Sequence, residues 1–187
     1  MNEDELFAAI VEASRRASAI PGPDPRSVTA PPPLSSGVFH EHERRLGCRL
    51  PSFLCRLYTQ FANGHVGPGD GLLSLAPVSP SDQSIRYFYG TFREARMRDG
   101  YEWERGVIPF CHWGDLILSC IDLNEPANAD DPPVLRLEPN MERADTYRFL
   151  GNHQFRGVGL IPERDHLSLW FEDWVAGVEM FHRPYRI

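Results

Sequence analysis

Apolar residues recur at helical spacing in several stretches of the chain. Leu6, Ile10, Ala13 and Ala17 share one face, with Asn2 or Asp4 available as a cap and acidic residues where the helix dipole favours them. Phe53, Leu54, Leu57, Tyr58 and Phe61 build a second stripe behind Pro51, which suits the first helical position, and Asn63-Gly64 ends it because both residues tolerate positive φ. Leu167, Phe171, Trp174, Val178 and Phe181 keep a three-then-four spacing. That pattern predicts a closing helix with Ser168 as its cap and Glu172 and Asp173 in its first turn. Ser36 to Leu46 reads as a shorter, more polar helix ending at Gly47, which takes the left-handed conformation cheaply.

Between these stretches the period shortens. Leu72 to Leu75, Val107 to Phe110, Leu116 to Leu123 behind a Gly114-Asp115 turn, and Val134 to Leu137 read as strands, bounded by turn formers such as Pro126, Asn128 and Pro132-Pro133. Short loops between consecutive strands predict antiparallel pairing. Residues 81–97 leave two alternatives, a helix capped by Ser81 or Asp82 or a strand through Tyr87, Phe88 and Tyr89. From Ile20 to Pro33 six prolines remove backbone donors and fix φ, which predicts an extended connector. The fold class expected is α+β, a mostly antiparallel sheet packed by helices. It comprises residues 36–187, preceded by an N-terminal helix and connector over residues 1–35 that either docks or acts as an arm, with docking preferred.

At 187 residues and 42% hydrophobic, the chain can bury roughly 70% of the surface its unfolded form exposes, so neither disulfide nor metal is needed for a core. Cys48, Cys55, Cys111 and Cys120 show no C-x-x-C pair and read as small buried apolar residues of a reduced compartment. The acidic N-terminus lacks the positive region of an export signal, and no run of about 18 apolar residues occurs, so a cytoplasmic protein without membrane association is expected. All nineteen basic residues are arginines, and the net charge of -7 disfavours direct nucleic-acid binding and favours a basic partner.

Three separated segments carry a resemblance. Leu46-Gly47-Cys48-Arg49-Leu50-Pro51-Ser52-Phe53-Leu54 runs on through Leu57-Tyr58 to Phe61-Ala62-Asn63-Gly64-His65. Val107-Ile108-Pro109-Phe110 is followed by Gly114-Asp115 and a strand ending in Asp122-Leu123. Ser168-Leu169-Trp170-Phe171-Glu172-Asp173-Trp174 closes the set. In this order they resemble the SUKH superfamily, which includes the yeast cell-wall assembly regulator (Smi/Knr-like) and many bacterial toxin-immunity proteins. The likeness covers Val38 to Phe181 and departs from the usual pattern at His65, where a second glycine is common, and in the long stretch from Thr91 to Gly106. It implies a SUKH-like fold and a protein-binding role without turnover. The expected function is immunity against a cognate toxin in a polymorphic toxin system, a basic nuclease domain being one such toxin. The alternatives are a regulatory scaffold using the N-terminal helix as an arm, and a small-molecule-binding or hydrolytic protein using His65 and His112.

The residues themselves offer little chemistry. Asp130-Asp131, Glu102 with Glu104, and Glu172-Asp173 are carboxylate pairs without a catalytic context and read as solvated charges. His40-Glu41-His42 and Cys111-His112 near Asp115 lack the second ligand pair a metal needs, so no metal or other cofactor is expected. No G-x-S-x-G elbow is present, and Gly67 to Gly71 lacks a phosphate fingerprint and reads as a turn. Recognition remains. Acids from Asp122 to Asp145 outnumber Arg136 and Arg143, and Tyr101 and Trp103 stand between Glu102 and Glu104. The expected contact set is therefore Tyr101, Glu102, Trp103, Glu104, Asp122, Glu125, Asp130 and Asp131, with core packing the alternative for the two aromatics.

Overall fold

A computed structural model describes residues 1–19, 30–94, 100, 102–124 and 129–180. The elements in chain order are α1 (Glu3–Ala19), α2 (Ser36–Leu46), α3 (Ser52–Gln60), β1 (Gly71–Leu72), α4 (Ile85–Glu94), β2 (Val107–Gly114), β3 (Ile117–Asp122), β4 (Val134–Leu137), α5 (Arg143–Leu150), β5 (Leu160–Arg164) and α6 (Leu167–Val175). The strands form one antiparallel sheet in the order β1-β2-β3-β4-β5, the meander that short connections predict. Pro109 lies in a central strand, and the register shifts between it and Cys111, so the missing N–H falls at a bulge.

Local chemistry explains most of the helix ends. Ser35 Oγ accepts a hydrogen bond from the Val38 amide at 3.4 Å, and Gly47 ends α2 at φ 75° with its N–H on the Glu43 carbonyl. Pro51 stands at the N-cap of α3, one position before the place expected for it. Residues 81–97 resolve in favour of the helix: α4 begins at Ile85, and Ser84 Oγ, not Ser81 or Asp82, accepts from the Tyr87 amide at 3.3 Å. Helix α6 stops at Val175, short of the expected Val178; Gly177 turns the chain at φ 71°, and Phe181 lies outside the described residues.

The strand expected over Leu72 to Leu75 shrinks to two residues because side chains replace the ladder beyond it. Asn63 Oδ1 accepts from the amides of Leu75 and Ala76 at 3.0 and 3.2 Å, its Nδ2 donates to the Ala76 carbonyl at 2.6 Å, and the Tyr58 hydroxyl donates to the Leu73 carbonyl at 2.7 Å. The Leu73 amide still donates to the Phe110 carbonyl of β2 at 2.8 Å, and beyond it the amides of Leu75 and Ala76 and the Ala76 carbonyl are satisfied without a strand partner. Two elements were not anticipated. Helix α5 buries only Thr146 and Leu150, too thin a stripe to show, and β5 carries Pro162 in mid-run, which argues against a strand unless it lies at an edge, as this one does.

The sheet is covered on both faces. Cys111, Ser119, Arg136 and Ile161 share the face turned to α6 through their register, and there Phe110 meets Trp170 at 4.9 Å while Phe171 meets Phe53 of α3 at 5.4 Å between ring centroids. His112, Leu118 and Leu137 share the opposite face, where Phe88 of α4 lies 5.6 Å from His112. Helix α1 is docked: Leu6 and Ile10 join the same buried cluster, the amino terminus pairs with Glu172 of α6 at 2.8 Å, and Arg56 reaches Asp4 at 2.7 Å. The end of the connector is fixed as well, with the Leu34 amide donating to the Tyr58 carbonyl and the Asn63 amide to that of Pro31.

Arg136, counted against the acidic stretch from Asp122 to Asp145, is buried under α6. Its Nη2 donates to Glu163 Oε1 at 2.6 Å and to the Met180 carbonyl at 2.7 Å, Ser119 Oγ donates to Glu163 Oε2 at 2.6 Å, and Trp113 Nε1 donates to Ser119 Oγ at 2.8 Å. The side chains of Arg136 and Glu163 are 3% and 0% exposed.

Candidate protein-interaction surface

The structure separates the expected contact residues into three groups. Tyr101 and Glu125 lie outside the described residues. Glu102 is exposed, but Trp103 is not: it is 3% exposed, its ring lies 4.7 Å from Phe92, and its Nε1 donates to the Val107 carbonyl at 2.8 Å. Trp103 therefore takes the core-packing alternative, which corrects its place as an exposed anchor. The remaining four, Glu104, Asp122, Asp130 and Asp131, are engaged inside the molecule.

Asp130 and Asp131 are helix caps supplied from elsewhere in the chain. Asp130 accepts from Ser52 N at 2.6 Å and Ser52 Oγ at 2.9 Å at the start of α3; Asp131 accepts from Ser168 N and Ser168 Oγ, both at 2.7 Å, at the start of α6. Each carboxylate satisfies an orphan amide and sits where the helix dipole favours negative charge. Ser168, expected to cap α6, is instead the residue being capped. Replacing either aspartate by alanine is expected to cost about 1 kcal/mol, and both together about 2, in urea unfolding. A double variant within about 0.3 kcal/mol of the parent would show that the caps carry no stability.

Glu104 and Asp122 clamp one arginine. Arg156 Nε donates to Glu104 Oε1 at 2.8 Å, Nη2 donates to Glu104 Oε2 at 2.5 Å and to Asp122 Oδ1 at 3.1 Å, and Nη1 donates to Asp122 Oδ2. Asn124 adds bonds from its Nδ2 to Glu104 at 3.0 Å and from its backbone amide to Asp122 at 3.1 Å. Burial disfavours the guanidinium charge, and the hydrogen bonds it donates to both carboxylates outweigh that, so the group is held charged more firmly than usual. This clamp forms a polar wall of an open cleft of about 560 Å³, with Leu135, Leu150, Leu160 and Pro162 among its apolar surfaces and Arg164, Asp165 and His166 among its further polar lining. Such a site is preorganised for contact, with its charges already fixed in position.

The alternative chemistry finds no shared centre. His65 Nε2 lies 3.6 Å from Asp82 Oδ1, whereas His112 Nδ1 lies 2.9 Å from Asp70. Ser74 Oγ also bonds to Asp82, which places the carboxylate between serine and histidine; nucleophilic activation needs the base there instead. Burial, with Glu43 beside it, pushes the Cys48 thiol up to about 11, and burial first raises Cys111 and Cys120 well above the usual thiol range, so thiolate is scarce. In the Gly67 to Gly71 turn, Asp70 N donates to His112 O and Gly71 N to Pro68 O, which uses the amides an anion would need. His40 pairs with Glu43 at 2.8 Å and His42 is buried. Among the described residues, no three His, Cys, Asp or Glu are placed to hold a metal ion, and no helix is long and apolar enough to cross a membrane.

No curated protein and no solved structure matches the chain. The family model described as SMI1 / KNR4 family (SUKH-1) matches residues 33–153. That span begins at the connector and runs through α5, taking in the Leu50-Pro51 helix, the Asn63-Gly64 brace and four of the five strands, and with well over half of the sequence inside it the chain belongs to the SMI1 / KNR4 family.

Proposed function

We propose that this family member is an immunity protein that binds a cognate toxin domain and neutralises it by occupancy, without turnover. The observation that carries the reading is the Glu104–Asp122–Arg156 clamp at the wall of an open, partly apolar cleft: a fixed polar constellation with contact surface and, among the described residues, no activated nucleophile beside it. A net charge of -7 fits a basic partner, and a nuclease is a toxin class whose active surface is basic. The local field is weaker than a count of acids suggests, because Arg156 offsets much of the charge of Asp122 and Glu104. Long-range steering then falls on exposed carboxylates such as Glu102. The regulatory-scaffold alternative has less support, since the helix it uses as an arm is packed into the core through Leu6 and Ile10.

The test is co-purification and neutralisation with the toxin product of a neighbouring gene. Binding with loss of toxicity is expected; a neighbouring toxin that neither binds nor is silenced refutes immunity. In the same assay Glu102→Lys is expected to slow association several-fold at low salt and to leave the melting temperature unchanged, as peripheral charges act on the on-rate. An unchanged rate would remove Glu102 from the steering surface.

A further inference from the structure

The tip of the β2–β3 hairpin is built against local preference. Gly114 pairs with Ile117, leaving Asp115 and Leu116 as a two-residue turn, and both have left-handed backbones, φ 48° and 66°. Hairpin turns of this geometry favour Asn-Gly or Asp-Gly, because a side chain such as leucine is strained there. Leu116 nevertheless holds the second position and is 51% exposed. Folding would be served better by glycine or asparagine, and packing does not account for a half-exposed leucine. Such strain points to a role outside the fold.

A second observation lies beside it. Ile117, the next residue, lines a groove of about 450 Å³ together with Pro139, Met141 and Phe149, and the charged residues of that groove are Glu138 and Asp145. Their side chains remain 32% and 44% exposed, with Arg136 3.8 Å and Arg148 3.3 Å away. Asp115 adds an exposed carboxylate at the hairpin tip. The result is an apolar floor with acids around it, and the strained, half-exposed Leu116 precedes the Ile117 of that floor in sequence. A second copy of this chain in a two-fold contact would bring these acids against each other, whereas basic residues flanking an apolar side chain would complement them.

We infer that the β2–β3 hairpin tip and the adjoining groove toward α5 form a docking surface for a partner-protein segment that presents apolar side chains between basic ones. The inference rests on the reading of the chain as a protein-binding module and gives that partner a second contact, apart from the Arg156 cleft. Leu116 is the anchor; Glu138 and Asp145 select the flanking charge.

The experiment uses the full chain, ¹⁵N-labelled, and two capped octapeptides, one with two leucines flanked by arginines and one with glutamates in the arginine positions. The arginine peptide is expected to shift the amides of Leu116, Ile117, Met141 and Phe149, and the glutamate peptide to leave them in place. Leu116→Asn is expected to weaken arginine-peptide binding at least tenfold while raising the melting temperature by roughly 2–4 °C, because asparagine accepts the left-handed conformation. Failure of the arginine peptide to bind, equal response to both peptides, shifts centred elsewhere, unchanged affinity in Leu116→Asn, or a lower melting temperature in that variant would each overturn the inference. Neutralisation of the toxin by a chain that fails the peptide test would leave the proposed function standing; a failed neutralisation beside a positive peptide test would do the reverse.

Discussion

Glu163→Ala is expected to destabilise the protein by about 3–5 kcal/mol, because it takes from the buried Arg136 guanidinium its close, fully enclosed carboxylate partner and leaves Glu138, partly exposed and farther off at 3.8 Å, as the remaining acid beside it. An arginine does not escape by losing its proton. The loss extends to Ser119, whose hydroxyl donates to Glu163, and from there to Trp113, whose indole donates to Ser119. Against a total stability of about 5–15 kcal/mol for an ordinary domain, a loss of this size is a large fraction. The double variant Arg136→Met with Glu163→Leu removes both charges and is expected to recover most of it, as apolar replacement of a buried pair is often close to neutral. Recovery will be incomplete, since the Met180 carbonyl also loses its donor. Urea unfolding measures both. A Glu163→Ala protein within about 1 kcal/mol of the parent would mean that the pair is not enclosed as described.

Gly64→Ala is expected to cost about 2–5 kcal/mol, the sum of left-handed strain and forced displacement of packed backbone. Gly64 has φ 82°, and a Cβ built on it would lie 2.7 Å from both Leu73 C and Ser74 N. Those atoms belong to the segment that Tyr58 and Asn63 also hold, so the backbone has little room to yield. Gly47 provides the control. Its φ is 75°, nearly the same, yet a Cβ there would meet nothing within 4 Å. Gly47→Ala should therefore show the conformational cost alone, about 1–2 kcal/mol. Equal losses at the two sites would show that close approach contributes nothing at Gly64.

Much of the framework was legible because it is written in local terms. The bounds of α2 and β4 coincide with their expected limits, since a left-handed glycine and flanking prolines are read residue by residue. The Asn63-Gly64 motif was legible as a helix stop, but its larger role was not: Asn63 braces residues 75 and 76, and that contact crosses a loop. The site was harder to read than the fold. Asp130, Asp131 and Arg136 look like solvated charges in a linear sequence, and their partners stand 78, 37 and 27 residues away. Ser52 and Ser168 at two helix starts were a faint sign that side chains from afar would be needed there. Arg156 carried no signal at all, because the pairing of Glu104 with it exists only after β2, β3 and the α5–β5 connection have come together. Trp103 shows the same limit in reverse: acidic neighbours in sequence suggested exposure, while Phe92 and the Val107 carbonyl enclose it.

Neutralisation by occupancy has a stoichiometry that catalysis lacks. Titrating a fixed concentration of the neighbouring toxin's activity with this chain, well above the dissociation constant, is the most direct test. Activity should fall linearly and vanish at one equivalent, and intact toxin should be recovered when the complex is dissociated. Silencing by substoichiometric amounts, or recovery of a chemically altered toxin, would contradict the account.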